Sequence, residues 1–216
     1  MDKEFTKKVL AAADLPVAPE VILKGRTELS EEEKQRLGLP VFVKPARGGS
    51  SIGVSKVTTW EEFPAAVDLA LEDDEKILVE PEIVGKEVEI GVLHYADGTL
   101  LASVPALLAG IDDSDEGFYG FDTKYLDNVV TAEIPAPFAP ELTEKLRDMA
   151  IRAFEALNCE GLSRVDFFVT KDSVYINEIN TLPGFTPISM YPQVLAASGV
   201  EYPALLEALI EQALAK

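Results

Sequence analysis

Two segments near the end of the chain alternate apolar and polar residues with the period of a β-strand. The first segment carries Arg164 and Asp166 on one face and apolar residues on the other. The second carries Glu178 and Asn180 on one face, and only a short turn at 171–173 separates the two segments. We therefore expect an antiparallel strand pair that buries one face and gathers polar groups on the other.

The length of this turn decides which polar side chains meet. With three turn residues Asp166 pairs with Glu178, whereas with two it pairs with Asn177 and the polar groups separate. We predict the three-residue turn, or a bulge at that point. Asp166, Glu178 and Asn180 then offer two carboxylates and an amide oxygen, which are hard ligands suited to Mg²⁺ that bridges nucleotide phosphates. The alternative is a chance polar strand face with a surface ion pair.

A loop rich in glycine and serine, at 46–53, lies between two predicted strands. Its glycines let backbone N–H groups approach an anion, but no Gly-Lys-Ser/Thr follows, so it is not a Walker loop. Lys44 before the loop and Arg47 within it place two cations there, which predicts an anion site. The alternatives are a plain mobile hairpin loop, and a Lys44 side chain at a sheet edge with its ammonium group in water.

The order of the segments predicts an α+β protein in two units, residues 1–84 and 85–216. Within the first unit, the pattern from Ser30 to Glu33 is typical of a capping box that begins a helix. The second unit is richer in predicted strands.

Glutamates flank the predicted boundary between the two units. By themselves Glu80 and Glu87 are best interpreted as surface residues. In the strand that follows, Glu89 and Gly91 alternate with apolar residues, so we expect one face of that strand to be buried. Residues 109–128 form a connection longer than most, which favours a functional loop or lid.

Charge and residue usage exclude several classes of function. A net charge of −19 repels phosphate backbones, which argues against a nucleic-acid partner. His94 is the only histidine and Cys159 the only cysteine, so a His/Cys zinc site and a Ser-His-Asp triad are both improbable. We find no signal peptide or membrane-spanning stretch, and the single cysteine suits a reducing cytoplasm.

Several motifs follow one another along the chain: Val43-Lys44-Pro45, Gly49-Ser50-Ser51-Ile52-Gly53-Val54-Ser55-Lys56, Lys124-Tyr125, Arg164-Val165-Asp166 and Asn177-Glu178-Ile179-Asn180-Thr181-Leu182-Pro183-Gly184-Phe185-Thr186. In this combination they resemble the ATP-grasp superfamily, and within it the D-alanine–D-alanine ligases, over essentially the whole chain. The resemblance implies an ATP-grasp fold, in which two α+β subdomains with antiparallel sheets enclose a nucleotide cleft.

The same resemblance implies ATP contacts, metal ligands and a substrate site. The implied ATP contacts are Lys44, Ser50, Ser51, Glu80, Ile83, Glu87 and Lys124. Asp166, Glu178 and Asn180 would hold two Mg²⁺ or Mn²⁺ ions, and Ser189 and Met190 would bind the carboxylate of the second substrate.

The implied reaction joins two D-alanine molecules for peptidoglycan precursors. The carboxylate of the first attacks the γ-phosphate of ATP to form an acyl phosphate, and the amine of the second then expels phosphate. The implied catalytic residues are Arg164, Ser50, Tyr125 and Gly184, and Tyr125 after Lys124 resembles ligases that make a dipeptide and not an ester. The alternatives are another ATP-grasp carboxylate–amine ligase and a non-catalytic module that binds ATP and Mg²⁺.

The family carries an additional N-terminal domain, about the size of a small domain, that this sequence does not match. We therefore expect a fragment with weak or absent ligase activity alone, and the missing domain as its partner. The other expected partners are D-alanine and ATP, with a homodimer for the full-length enzyme and neither nucleic acid nor membrane.

Overall fold

The structure is a computed structural model that describes residues 1–49, 51–109 and 131–215. These residues contain six helices: α1 (Lys3–Ala12), α2 (Glu31–Leu37), α3 (Phe63–Leu71), α4 (Pro140–Ala156), α5 (Met190–Ala197) and α6 (Tyr202–Leu214). They also contain ten strands: β1 (Val21–Lys24), β2 (Val41–Pro45), β3 (Ser55–Val57), β4 (Lys76–Pro81), β5 (Lys86–His94), β6 (Leu100–Ala102), β7 (Ala106–Ala109), β8 (Thr131–Glu133), β9 (Leu162–Val169) and β10 (Val174–Asn180). Helices and antiparallel sheets together confirm the α+β prediction. None of these six helices is long and apolar enough to cross a membrane.

The described residues divide into two compact units. The first contains Met1–Lys8 and Val17–Val84, and the second contains Val9–Pro16, Gly85–Ala109 and 131–215. One change of unit lies between residues 84 and 85, and the segment Val9–Pro16 belongs to the second unit. Helix α1 contributes residues to both units.

The first unit is built on a four-stranded antiparallel sheet in the order β1-β4-β2-β3. Val41 and Val43 of β2 are fully buried, and Val79 of β4 lies opposite Val43. Helix α3 packs on β2, β3 and β4, where the apolar positions of strands and helix form one core. Because β2 lies between β4 and β3, Lys44 is not on an edge strand.

Helix α2 begins with the capping box that the sequence predicts. The Ser30 hydroxyl accepts a hydrogen bond from the Glu33 N–H at 3.1 Å, and the Ser30 N–H donates to the Glu33 carboxylate at 2.8 Å. These two bonds satisfy N–H groups that have no partner inside the helix.

The second unit is built on a six-stranded antiparallel sheet in the order β10-β9-β5-β7-β8, with β6 also paired to β5. Helices cover β5 on both faces, since His94 contacts the Phe154 ring of α4 while Gly91 lies against Tyr191 of α5. The expected face is buried, with Val88, Ile90 and Val92 at most 1% exposed, but the opposite face is covered as well because helices pack on both sides of β5. Glu89 on this strand is only 3% exposed.

Gly91 has room for no side chain. A Cβ at this position would come within 2.5 Å of Leu195 Cδ2 and 3.1 Å of the Tyr191 ring, and both neighbours are fully buried. We expect Gly91→Ala to lower the free energy of unfolding by about 1–3 kcal/mol, the usual cost of an overpacked core. Urea denaturation measures this loss. Gly49→Ala, whose added methyl meets no atom of the described residues within 4 Å beyond its chain neighbours, is the matched control, and equal stability of the two variants would contradict the prediction.

Candidate functional site

The hairpin of β9 and β10 brings together the residues predicted to bind metal. Next to the turn, Val174 pairs with Val169. If this register continued along the strands, Asp166 would lie opposite Asn177. A bulge just before Glu178 shifts the register by one and places Glu178 opposite Asp166. The three-residue turn is thus wrong, but the pairing of Asp166 with Glu178 is confirmed. The bulge that secures it lies within β10 and not at the turn.

Asp166, Glu178 and Asn180 lie side by side on the hairpin. Asn180 Nδ2 donates a hydrogen bond to Asp166 Oδ2 at 2.9 Å, and Glu178 is the cross-strand partner of Asp166. Among the residues that the structure describes, no three His, Cys, Asp or Glu side chains form a group able to hold a metal ion. The predicted ligand set contains only two carboxylates, and its third member is an amide.

Arg164 is bound to the same cluster by two parallel hydrogen bonds. Its Nε donates to Asp166 Oδ1 at 2.7 Å and its Nη2 donates to Asp166 Oδ2 at 2.8 Å. The same Nε lies 3.2 Å from Oε2 of Glu89 on the neighbouring strand β5. Burial alone would lower the pKa of Arg164, but the charges of Asp166, Glu89 and Glu178 outweigh it and raise the pKa. Arg164 is therefore a permanent cation that its carboxylate partners hold in one orientation.

The donor atoms of this cluster fit Mg²⁺ or Mn²⁺, because all are hard oxygens of carboxylates or an amide. Asn180 presents its NH₂ group to Asp166 in this structure. To bind a cation beside Asp166, the amide would turn so that its oxygen takes the place of that NH₂ group. The residues that would hold the ion are thus Asp166, Glu178 and Asn180.

A network of buried charges lies in the first unit. Glu80, at the end of β4, is 7% exposed, so the interpretation as a surface glutamate is wrong for this residue. One carboxylate oxygen accepts a hydrogen bond from Lys44, and the other accepts one from Lys7 of α1 at 2.6 Å. Lys7 also lies 3.2 Å from Oε2 of Glu20. Lys44 therefore neither lies at a sheet edge nor extends its ammonium group into open water.

Two lysines control the ionisation of Glu80. Burial by itself would raise the pKa of Glu80, but the charges and hydrogen bonds of Lys44 and Lys7 outweigh it and hold the pKa at about 2, below the ordinary 4.5. A carboxyl group with a depressed pKa stabilises the folded state above its unfolded-state pKa, and that contribution disappears as the pH falls toward the folded-state value.

We expect the unfolding free energy to fall between about pH 4.5 and pH 2 as Glu80 takes up a proton on unfolding. Asp74 adds to this loss, because hydrogen bonds from Arg47 hold its pKa at about 2, below the ordinary 3.8. Denaturant unfolding at several pH values measures the slope. Asp74→Asn should reduce the slope of stability against pH in this window, and an unchanged slope would contradict the assignment.

The glycine loop after β2 turns sharply beside Pro45. Gly53 has a φ of 69°, and a Cβ there would come 2.9 Å from the Pro45 ring, so a residue without a side chain is required. Ser51, one of the predicted ATP contacts, also adopts a positive φ of 57°. Ser50, predicted both to bind ATP and to take part in catalysis, lies outside the described residues.

The cations around this loop differ from the expected pair. The Arg47 guanidinium binds Asp74, with Nη2 at 2.6 Å from Oδ1 and Nε at 3.1 Å from Oδ2. Arg47 therefore forms an ion pair with Asp74, although its side chain is 56% exposed. Lys3, near the start of α1, donates instead to the backbone carbonyls of Pro45 and Gly48 at 3.3 and 3.2 Å.

The segment between β10 and α5 carries the residues predicted to bind the second substrate. Ser189 precedes the first residue of α5, Met190, and its hydroxyl accepts a hydrogen bond from the Thr186 N–H at 3.0 Å. It also lies 2.8 Å from the Thr186 hydroxyl, and either oxygen is able to donate in that contact. When Thr186 donates, the Ser189 hydrogen is available to a carboxylate. A Cβ at Gly184 would come 3.0 Å from the Ser189 hydroxyl oxygen, so this turn closes tightly around Gly184.

The remaining predicted site residues are distributed between described and undescribed parts of the chain. Ile83 lies half-buried in the connection between β4 and β5, and Glu87 lies half-buried in β5 opposite Phe168. Lys124 and Tyr125, with most of the 109–128 connection, lie outside the described residues.

Comparison with known proteins identifies the family. A family model described as the D-ala D-ala ligase C-terminus matches residues 9–211. The chain belongs to the D-alanine–D-alanine ligase family. A D-alanine–D-alanine ligase of Corynebacterium efficiens is 65% identical over 214 residues, which cover 99% of this chain and 59% of that protein. The chain therefore spans 59% of the length of this ligase.

Solved structures of the D-alanine–D-alanine ligase family share this fold. The VanG D-Ala:D-Ser ligase of Enterococcus faecalis matches with a TM-score of 0.85 and 33% identity, over 98% of this chain and 61% of that one. A D-alanine–D-alanine ligase of Bacillus anthracis, complexed with ATP, matches with a TM-score of 0.80 and 26% identity, over 99% of this chain and 65% of that one. These matches confirm the ATP-grasp fold expected from the motifs.

The sequence reasoning missed three charged residues that contact the glycine loop, Glu80 and Arg164 respectively: Lys3, Lys7 and Glu89. Each lies in a regular helix or strand pattern and looks like an ordinary surface position. The one available signal was Glu89, a glutamate followed directly by four uncharged residues, 90–93. Only tertiary contacts show that Lys7 is buried against Glu80, 73 positions further along the chain.

Proposed function

We propose that this chain carries the ATP-binding and metal-binding machinery of a D-alanine–D-alanine ligase. The observation that carries the proposal is the hairpin where Glu178 lies opposite Asp166, while Arg164 and Asn180 bind the Asp166 carboxylate. Three oxygen ligands beside one fixed cation suit phosphoryl transfer, because that chemistry depends on positioning and charge neutralisation. Membership of the family and the ATP complex of the Bacillus anthracis ligase support ATP as the nucleotide.

The nucleotide is proposed to bind through Lys44 and the glycine loop. Lys44 would neutralise the α- and β-phosphates, while the backbone at Ser50 and Ser51 closes over them. The further proposed contacts are Glu80 with the backbone near Ile83 to adenine, Glu87 to the ribose and Lys124 to the γ-phosphate. The ion pair between Glu80 and Lys44 supports this assignment, because it holds the side chain proposed to contact adenine next to the side chain proposed to contact the phosphates.

Asp166, Glu178 and Asn180 are proposed to hold two Mg²⁺ or Mn²⁺ ions. When bound, such ions supply neutralising charge for the phosphate oxygens. The bidentate bond between Arg164 and Asp166 keeps the guanidinium in a fixed orientation, so that its charge needs no rearrangement during the reaction.

The proposed reaction begins when the carboxylate of one D-alanine attacks the γ-phosphate of ATP and forms an acyl phosphate. The amine of a second D-alanine then attacks that carbonyl and phosphate leaves. Arg164 and the Gly184 N–H would stabilise the negative oxygen of the tetrahedral intermediate. Ser189 and Met190 would bind the carboxylate of the second D-alanine, and Tyr125 would take part from the 109–128 connection. The cytoplasmic location and the homodimer of the full-length enzyme stay predictions.

Two measurements on the chain test this proposal. Calorimetric titration with ATP, with and without Mg²⁺, should show saturable binding that depends on the metal. Phosphate release is then measured with this chain joined to the N-terminal domain of the family, with D-alanine, D-serine, D-lactate and L-alanine as acceptors, and D-alanine should give the highest rate.

Each outcome of these measurements discriminates between functions. A preference for D-serine would favour the acceptor named for the Enterococcus faecalis relative. Metal-dependent ATP binding without product for any acceptor would favour a non-catalytic ATP-binding module. Absence of ATP binding would refute the proposal.

A further inference from the structure

Lys7 is a buried lysine that the proposed reaction does not use. It is 5% exposed, and its ammonium group lies 2.6 Å from Oε2 of Glu80 and 3.2 Å from Oε2 of Glu20. Lys44 binds the other oxygen of Glu80. The Glu80 carboxylate therefore has one lysine on each oxygen, although one lysine would neutralise its charge.

The second lysine matters when Lys44 is needed elsewhere. A phosphate group competes with Glu80 for the ammonium group of Lys44, and moving Lys44 away removes one partner from a buried carboxylate. Leaving a buried charge without a partner is strongly unfavourable. With Lys7 in place, Glu80 keeps one full ion pair after Lys44 has moved.

We propose that Lys7 is a positioning residue that keeps Glu80 compensated, so that Lys44 can exchange Glu80 for the phosphates of ATP. This inference rests on the proposed function, because it requires Lys44 to bind phosphate. Lys7 would not contact the nucleotide, but it would determine how much free energy is needed to separate Lys44 from Glu80.

Glu20 also interacts with Lys7. Its buried Oε2 lies 3.2 Å from the Lys7 ammonium group, and no other described residue donates a hydrogen bond to this oxygen. Burial raises the pKa of Glu20, although Lys7 works against that rise. Glu20 and Glu80 thus share the charge of Lys7, and removing the charge of Glu20 makes Lys7 a stronger partner for Glu80.

The experiment compares the binding of ATP and of adenosine, both with Mg²⁺, to the parent chain and to Lys7→Met. Adenosine has no phosphate and so does not require Lys44 to move. We expect Lys7→Met to weaken ATP binding by about tenfold or more and adenosine binding by less than about threefold, since the lost charge matters only when Lys44 leaves Glu80. Lys7→Arg should restore the parent ratio of the two affinities.

Lys8→Met is the matched control. It removes the same charge from the neighbouring residue, whose side chain is 60% exposed and pairs with Glu4. We expect the ratio of ATP to adenosine affinity in Lys8→Met to equal that of the parent chain, because surface ion pairs contribute little.

The outcomes separate this inference from the proposed function. Equal weakening of ATP and adenosine by Lys7→Met would show a merely structural lysine, and no weakening of ATP would show that Lys44 moves without help; either overturns the inference. If the parent chain bound ATP no more tightly than adenosine, the proposed role of Lys44 in phosphate binding would itself be refuted.

A second variant keeps the test decisive if Lys7→Met does not fold. Glu20→Gln preserves the shape of a half-buried side chain and removes the carboxylate that competes with Glu80 for the charge of Lys7. We expect it to tighten ATP binding relative to adenosine by about twofold or more, because Glu80 then depends less on Lys44. An unchanged or lowered ratio would overturn the inference.

Discussion

Glu178→Gln is expected to remove nearly all of the metal-dependent part of ATP binding. The substitution keeps the size of the side chain but replaces the carboxylate of a proposed metal ligand by a neutral amide opposite Asp166. Losing even an outer partner of a metal ligand typically costs about 10–100-fold in affinity, so the loss of a direct ligand should reach at least that range. Calorimetric titration with ATP, with and without Mg²⁺, measures the effect.

Glu144→Gln provides the control for this experiment. Glu144 lies on α4 and forms an exposed ion pair with Arg147, so the same chemical change there should leave metal-dependent ATP binding at the parent level. Parent-like binding of Mg²⁺ and ATP by Glu178→Gln would argue against the metal assignment.

Glu80→Ala is expected to lower the free energy of unfolding by about 3–5 kcal/mol, the usual cost of leaving buried charges without a partner. Lys7 and Lys44 both bind Glu80, and their side chains are 6% and 14% exposed. Removal of the carboxylate leaves two lysines close together with Glu20 as the remaining acid of the network. Urea denaturation at neutral pH, where Glu80 is ionised, measures the loss.

Glu82→Ala, two residues away, is the matched control. Glu82 pairs with Lys56 at 2.6 Å, but both side chains are about a quarter exposed, so we expect a loss of no more than about 1 kcal/mol. If the two variants lost equal stability, the network around Glu80 would not behave as a buried ion pair.

The pairing of Asp166 with Glu178 was predictable because the side chains of a strand alternate with a period of two. That rule limits the register to two choices, and only one of them gathers the polar groups. A bulge was one of the two predicted ways to reach this pairing, but its position was not predictable, since the turn gives the other register and the bulge lies within β10, just before Glu178. The position of a bulge depends on local packing, and no residue in the turn predicts it.

The burial of the charged residues could not be predicted from the sequence for a different reason. Glu80 and Glu89 have the pattern of surface glutamates, and their burial follows from which strands and helices cover them. The lysine that binds Glu80 is 73 positions away, in a helix near the start of the chain. Short-range periodicity contains no information about contacts at such separations. For the same reason, the pairing of Arg47 with Asp74 was not expected.

The most direct test is a crystal structure of this chain with Mg²⁺ and a non-hydrolysable ATP analogue. We predict a metal at about 2.0–2.1 Å from oxygens of Asp166, Glu178 and Asn180. The Lys44 ammonium group should then lie on the phosphates, with Glu80 still bound to Lys7. A nucleotide bound away from Lys44, or a metal with no contact to Asp166 and Glu178, would contradict the account.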